Sequence, residues 1–276
     1  MKTRKPTGYF EDFFGFTHPP FSRDLPVKLL MELEGQQEML ARLRRAIKTN
    51  DIALVTGQGG VGKSTALRVL QAELDTNHYK FIYSPNPGAG LVGLYRVLLW
   101  EMGQEPTYFK PHLVTQVRRA LAELNDKGRR VIIVSDEADA LTNAWLQDLR
   151  MLVSDGMDSR SLATLLLVGN VSLSQRLRMG IHESLWHRIN YRHQLKPLDL
   201  GNTAAYIQHH LKAAGYRGEA LFSDSFVAKT QTYSRGVLRR INQVCTYALI
   251  AACSSQTKII DDAIFERVKA ELDDDL

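Results

Sequence analysis

Cysteine is nearly absent from this 276-residue chain: only Cys245 and Cys253 occur, both in an Ala/Leu-rich stretch with helical spacing. Two cysteines build neither a disulfide framework nor a zinc set, so buried thiols are expected. No apolar run approaches the ~18 residues a membrane helix needs. The longest one, residues 162–168, suits a buried strand. The first ten residues are basic but hold no apolar h-region, so a secretory signal is not expected. Repeats and low-complexity tracts are missing too. What remains is ordinary globular composition, 44% hydrophobic and 24% charged, enough for one large domain or one large plus one small. Cytoplasmic residence without membrane attachment is the expectation.

The net charge of +5 is unevenly spread. Residues 261–276 hold seven acids against Arg267 and Lys269, and removing them leaves 33 basic and 23 acidic residues, a body of +10. Such a balance favours a polyanionic partner by long-range attraction, nucleic acid above all, although solubility alone also accounts for it.

Along the chain, residues 1–30 are dense in Phe, Pro and Gly and read as an irregular segment packed on the core. Residues 31–200 then alternate helical periodicities with short, near-continuous apolar strands: "IALVTG", "YKFIYS", "RVIIVS" and "ATLLLVG". This pattern predicts a parallel sheet covered by helices on both faces, an α/β domain. From Gly201 to residue 276 only helical spacing remains, as in Thr203/Ile207/Leu211 and Leu238/Ile241/Cys245/Ala248/Ala252. A small all-helical second domain with an acidic C-terminus follows.

Gly57-Gln58-Gly59-Gly60-Val61-Gly62-Lys63-Ser64, followed by Thr65, fits G-x-x-x-x-G-K-[ST] in full, between a strand and a helix. The glycines let backbone N–H groups turn to phosphates at a helix N-terminus. Lys63 would reach the β- and γ-phosphates and the Ser64 hydroxyl would ligate Mg²⁺. In "VIIVSDEADAL" a strand ends on Asp136-Glu137. An acid there can share the Mg²⁺ with Ser64, and Glu137 can polarise the attacking water, which points to ATP hydrolysis. Asp139 reads as a structural or capping acid. Asn170 ends the next strand, where an amide can orient the same water or touch the γ-phosphate, or simply form a turn.

Two further groups are cationic. Residues 175–196 hold Arg176, Arg178, Arg188, Arg192 and Lys196 against Glu183 alone. Arg188 is the first choice for an arginine presented to a neighbouring subunit's γ-phosphate, ahead of Arg192 and Arg176; an exposed basic face is the alternative. "SRGVLRRINQ" opens the longest helix of the second domain and puts Arg239 in its first turn, where a lid could bring it to the phosphates. Arg240 is the runner-up.

With these elements in this order, the chain resembles an AAA+ ATPase: Walker A, Walker B and sensor 1 in the α/β core, sensor 2 in a helical lid. "FFGFTHPPF", "LVTGQGGVGKST", "DEA", "HRINYRHQLKPL", "AAYIQHHLKAAG" and "GVLRRINQ" are similar to the ExeA/GspA-type family over nearly the whole chain, from about residue 9 to 268. Leu238 stands where that family usually has Pro, and Asn170 where close relatives often have Gln. Some family members are secretion ATPases that continue into a membrane helix and a peptidoglycan-binding domain. Others accompany transposases, similar in role to the TnsC, TniB, MuB and IstB ATPases. The chain ends after the lid and its body is basic, so the transposition-type group is the expectation: an ATP-dependent homo-oligomer, ring or helical filament, on double-stranded DNA, communicating with transposase and target-selector proteins. The resemblance further implies that segments after the second strand line the oligomer's inner surface. There Lys110, Arg118 and Arg119 are candidate backbone contacts to DNA, with a solvated helix face equally open.

Overall fold

The computed structural model describes residues 9–84, 90–155 and 160–274, and within them two compact units. One takes the N-terminal part up to Leu33, residues 59–62 and the chain from Lys196 onward; the other takes residues 34–58 and 63–195. The N-terminal part contains a short helix, α1 (Tyr9–Phe14).

The second unit is the α/β one. In chain order it comprises α2 (Glu34–Thr49), β1 (Ile52–Thr56), α3 (Lys63–Glu73), β2 (Tyr79–Ser84), α4 (Gly90–Glu101), α5 (Lys110–Asp126), β3 (Arg130–Ser135) and α6 (Asn143–Val153). A two-residue-per-strand hairpin follows, β4 (Ser154–Asp155) with β5 (Arg160–Ser161), then β6 (Thr164–Gly169), α7 (Val171–Leu177), α8 (Glu183–Trp186) and β7 (Ile189–Gln194). Five strands form one parallel sheet in the order β2-β3-β6-β1-β7.

Period-two geometry sorts the apolar strands between two cores. Ile52 and Leu54 of β1, Ile133 of β3 and Leu165 and Leu167 of β6 pack with α4, α5 and α6 on one face. Ala53 and Val55, Ile132 and Val134, and Leu166 and Val168 pack with α2 and α3 on the other. The three central strands are therefore apolar at nearly every position, as a doubly covered sheet requires. At Leu166, which is fully buried, truncation to Ala would cost about 2–5 kcal/mol.

The fifth strand, β7, was not expected from the sequence. "INYRHQ" alternates buried or half-buried with exposed residues because it is an edge strand, so no continuous apolar run marks it.

The other unit is helical: α9 (Leu200–Ala213), α10 (Asp224–Ser234), α11 (Leu238–Ser254) and α12 (Asp262–Asp274). Asp199 and Ser223 cap α9 and α10, their side chains accepting from the N–H groups of Asn202 and Phe226. Ile207, Phe226, Ile241, Cys245 and Phe265 belong to its core. The N-terminal segment packs on this helical unit. Phe16 and Phe21 are buried in the helical core, Thr17 N–H and Oγ1 both donate to Ala214 O, and His209 Nε2 lies 2.9 Å from Leu29 O. The aromatic residues carry no periodicity that could have named this partner. Both cysteines are buried in α11.

Candidate nucleotide site

β3, β6 and β1 are consecutive neighbours running the same way, so Ser135, Gly169 and Thr56 end at one edge of the sheet. In a parallel α/β sheet that carboxyl edge is where ligands bind. The glycine-rich loop leaves β1 there, anchored by Gly57 N–H donating to Gly169 O at 3.2 Å. Gly60 and Gly62 sit at φ +86° and +101°, a region costly for L side chains, which turns successive N–H groups inward. At Gly60 a Cβ would also stand 2.7 Å from the Cβ of Arg239. Lys63 opens α3 and its Nζ donates to Gly57 O at 2.7 Å and Gln58 O at 3.2 Å, spanning the loop it would share with phosphates.

Asp136 follows β3, is 8% exposed, and is held from three sides. Its Oδ2 accepts from Ser64 Oγ at 3.2 Å and from Tyr83 OH at 2.6 Å; Oδ1 accepts from Glu137 N–H at 2.9 Å. Burial first, and then the carboxylate beside it, raise the Tyr83 pKa well above the ordinary phenol range, so its proton stays in place. Glu137 is exposed and adopts φ 52°, ψ 33°, the left-handed region that few non-glycine residues occupy. The meeting of Ser64 and Asp136 is a lean donor set, one hydroxyl and one carboxylate. That suits Mg²⁺, which keeps several waters and takes other ligands from substrate phosphates.

Asn170 is more committed than its sequence position suggested. Its N–H donates to Asp139 Oδ1 at 2.9 Å, its Nδ2 donates to Asp139 Oδ2 at 2.7 Å, and its Oδ1 accepts from Ser172 N–H at 2.8 Å as the N-cap of α7. Arg176 supports the same corner by donating to Asp139 O at 3.0 Å and Ala138 O at 3.3 Å. Gly169 makes the approach possible, since a Cβ there would lie 2.6 Å from Asp139 Oδ1.

The AAA domain family model matches residues 35–177, just over half of the chain. The chain belongs to the AAA ATPase family. It is an ATP hydrolase with a nucleotide-binding α/β core. It is 30% identical over 246 residues to General secretion pathway protein A of Aeromonas hydrophila, an alignment covering 88% of this chain and 45% of that protein. Among solved structures, it is similar to Cdc6p of Pyrobaculum aerophilum, with a TM-score of 0.68, 15% identity, and 87% of this chain and 67% of that one covered. It is similar as well to the Aeropyrum pernix ORC1 protein in complex with DNA, with a TM-score of 0.67 and 16% identity over 92% of this chain and 68% of that one. For the Thermotoga maritima RuvB branch migration motor the TM-score is 0.58 and the identity 17%, over 88% and 70%. At such identities these structures establish the fold.

The arginines divide by what they touch. Arg188 donates to Ser154 Oγ of its own chain, and burial followed by the charge of Arg150 lowers its pKa. Arg192 donates to Trp186 O at 2.7 Å and lies 3.8 Å above the Trp186 ring, with Arg178 also over that ring at 5.3 Å. Arg176 is occupied as described. Arg239 is exposed in the first turn of α11, where its N–H donates to Gly60 O at 3.1 Å within the unit that includes residues 59–62; Arg240 is exposed beside it.

The residues singled out for DNA also separate. Arg118 donates to Met151 O at 2.8 Å, Leu152 O at 3.3 Å and Ser154 O at 2.6 Å, satisfying the carbonyls at the end of α6. Arg119 is exposed. The side chain of Lys110 lies outside the described residues. Among the described residues no helix is long and apolar enough to cross a membrane.

The sequence reading missed Tyr83 and the bond between Asp139 and Asn170. A tyrosine one residue before the end of β2 was the available signal, and its target becomes visible only with the register Tyr83↔Val134, Ser84↔Ser135.

Proposed function

We propose that this AAA ATPase is an ATP-switched homo-oligomer on double-stranded DNA that regulates DNA transposition, selecting target DNA and recruiting or activating a transposase. The observation that carries the DNA part is charge. The chain up to residue 260 carries +10, and Arg119 on α5 is exposed and available to phosphates. The likeness to an ORC1 fold solved with DNA supports the same direction. The transposition part rests on the resemblance of the quoted motifs to the ExeA/GspA-type family, some of whose members accompany transposases.

In this reading, loop N–H groups and Lys63 hold the β- and γ-phosphates, with Gly57–Thr65 forming the cradle. Ser64 and Asp136 hold Mg²⁺, which when bound supplies charge neutralisation on the phosphate oxygens. Glu137 takes a proton from the water that attacks the γ-phosphorus as the bond to the β-γ bridging oxygen breaks. Asn170, fixed by Asp139, orients that water. Arg239 reads the γ-phosphate from its own chain, and Arg188, released from Ser154, reads it from a neighbouring subunit.

A second reading has one observation in its favour: the 30% identity to a secretion pathway protein. The chain spans 45% of that relative's length, and as a secretion ATPase it would act on protein partners. Sedimentation with duplex DNA and a slowly hydrolysed ATP analogue separates the two. Assemblies that need both ligands and dissolve with rising salt support the DNA reading. Assembly indifferent to DNA refutes it and leaves the secretion reading.

A further inference from the structure

We infer that Tyr83 is a positioning residue that holds the Asp136 carboxylate in its metal-binding orientation beside Ser64. This rests on the assignment of Ser64 and Asp136 to Mg²⁺ above.

Asp136 Oδ2 is shared by two hydroxyl donors, Tyr83 at 2.6 Å and Ser64 at 3.2 Å. The first distance is in the range of a charge-assisted O–H···O⁻ bond; the second is long. A Ser64 oxygen that ligates the cation through a lone pair can still donate its O–H to Oδ2, but the Tyr83 bond is the shorter of the two. Oδ1 accepts from Glu137 N–H, and Tyr83 supplies the tighter hold on Oδ2. The two restraints come from independent places. Glu137 N–H belongs to the strained turn after β3, whereas Tyr83 is fixed by β2–β3 pairing, in which Asp136 N–H also donates to Ser84 O at 3.1 Å. Tyr83 is therefore carried by the sheet, and its hydroxyl also meets the Ser64 side chain. Partners of this kind to a metal ligand typically carry 10–100-fold in metal affinity.

The test is Mn²⁺ binding, followed by electron paramagnetic resonance, to the full chain loaded with a slowly hydrolysed ATP analogue. Tyr83→Phe removes one oxygen and leaves the ring. It should weaken Mn²⁺ binding about tenfold while leaving metal-free nucleotide affinity unchanged. Asp136→Asn should weaken it further, and Tyr83→Phe should add nothing on that background. If Asp136→Asn weakens binding but Tyr83→Phe does not, the Tyr83 inference is overturned and the metal site stands. If Asp136→Asn has no effect, the metal-site assignment itself fails.

Discussion

The bond between Asp139 and Asn170 gives the sharpest energetic prediction. Asp139 is half-buried and accepts two hydrogen bonds from one residue, the backbone N–H at 2.9 Å and Nδ2 at 2.7 Å. Bonds to a charged group contribute ~1.5–3 kcal/mol each when shielded, and partial exposure reduces this. Asp139→Ala should therefore destabilise the protein by about 2 kcal/mol. Asn170→Ala loses the side-chain bond and the N-cap of α7, whose accepted bond from Ser172 N–H is 2.8 Å, for a similar total of about 1–2 kcal/mol. Only the Nδ2 bond is shared by both substitutions, because the backbone N–H of residue 170 persists in either background. A double-mutant cycle should then return a coupling of about 1 kcal/mol, measured by urea unfolding of the wild type, both single variants and the double. Both single variants should also lower ATP turnover, since the amide is no longer aimed. Additivity within about 0.3 kcal/mol would refute the reasoning, because residues in direct contact cannot be energetically independent.

Other predictions concern stability and DNA. Arg118→Ala should cost about 1–2 kcal/mol by stripping three carbonyls at the end of α6 of their donor, with salt-dependent DNA affinity unchanged. Arg119→Ala should do the reverse, leaving the melt alone and weakening DNA binding in titrations at several salt concentrations. His210 is buried in the helical unit, its Nδ1 3.1 Å from Pro20 O; burial, then His209, pushes its pKa down from 6.5 to about 4. The unfolded chain therefore binds the proton first, so this group's contribution to stability falls as pH drops from about 6.5 towards about 4. Replacing it with Leu should flatten unfolding free energy against pH over that window.

How much of this was legible in the sequence follows from where each signal lives. The first four strands of the sheet and the phosphate loop are local: short apolar-rich runs, glycines and a Lys-Ser pair within eight residues. Asp136 and Glu137 were readable because they end such a run. β7 was not, since an edge strand needs apolar residues on one face only. The partners of Tyr83, Asp139 and Arg118 lie 53, 31 and 33–36 residues away, and helical or strand spacing says only that a side chain points outward or inward. Arg118 illustrates the limit. Periodicity correctly turned it away from the core packed around Val117 and Leu121, yet its guanidinium is engaged with backbone carbonyls. The N-terminal aromatics were visible as buried residues, but their host became clear only when Phe16 and Phe21 were found among Ile207, Phe226 and Ile241.

The central claim is that Glu137, exposed after β3 in a left-handed backbone conformation beside the buried Asp136, drives hydrolysis of the bound ATP. Single-turnover hydrolysis by Glu137→Gln, run beside a nucleotide-binding titration, tests it most directly. The account predicts ATP affinity close to wild type and a chemical step slowed by ~10²-fold or more, as for loss of a general base. A Glu137→Gln protein that cleaves bound ATP at the wild-type rate would contradict it.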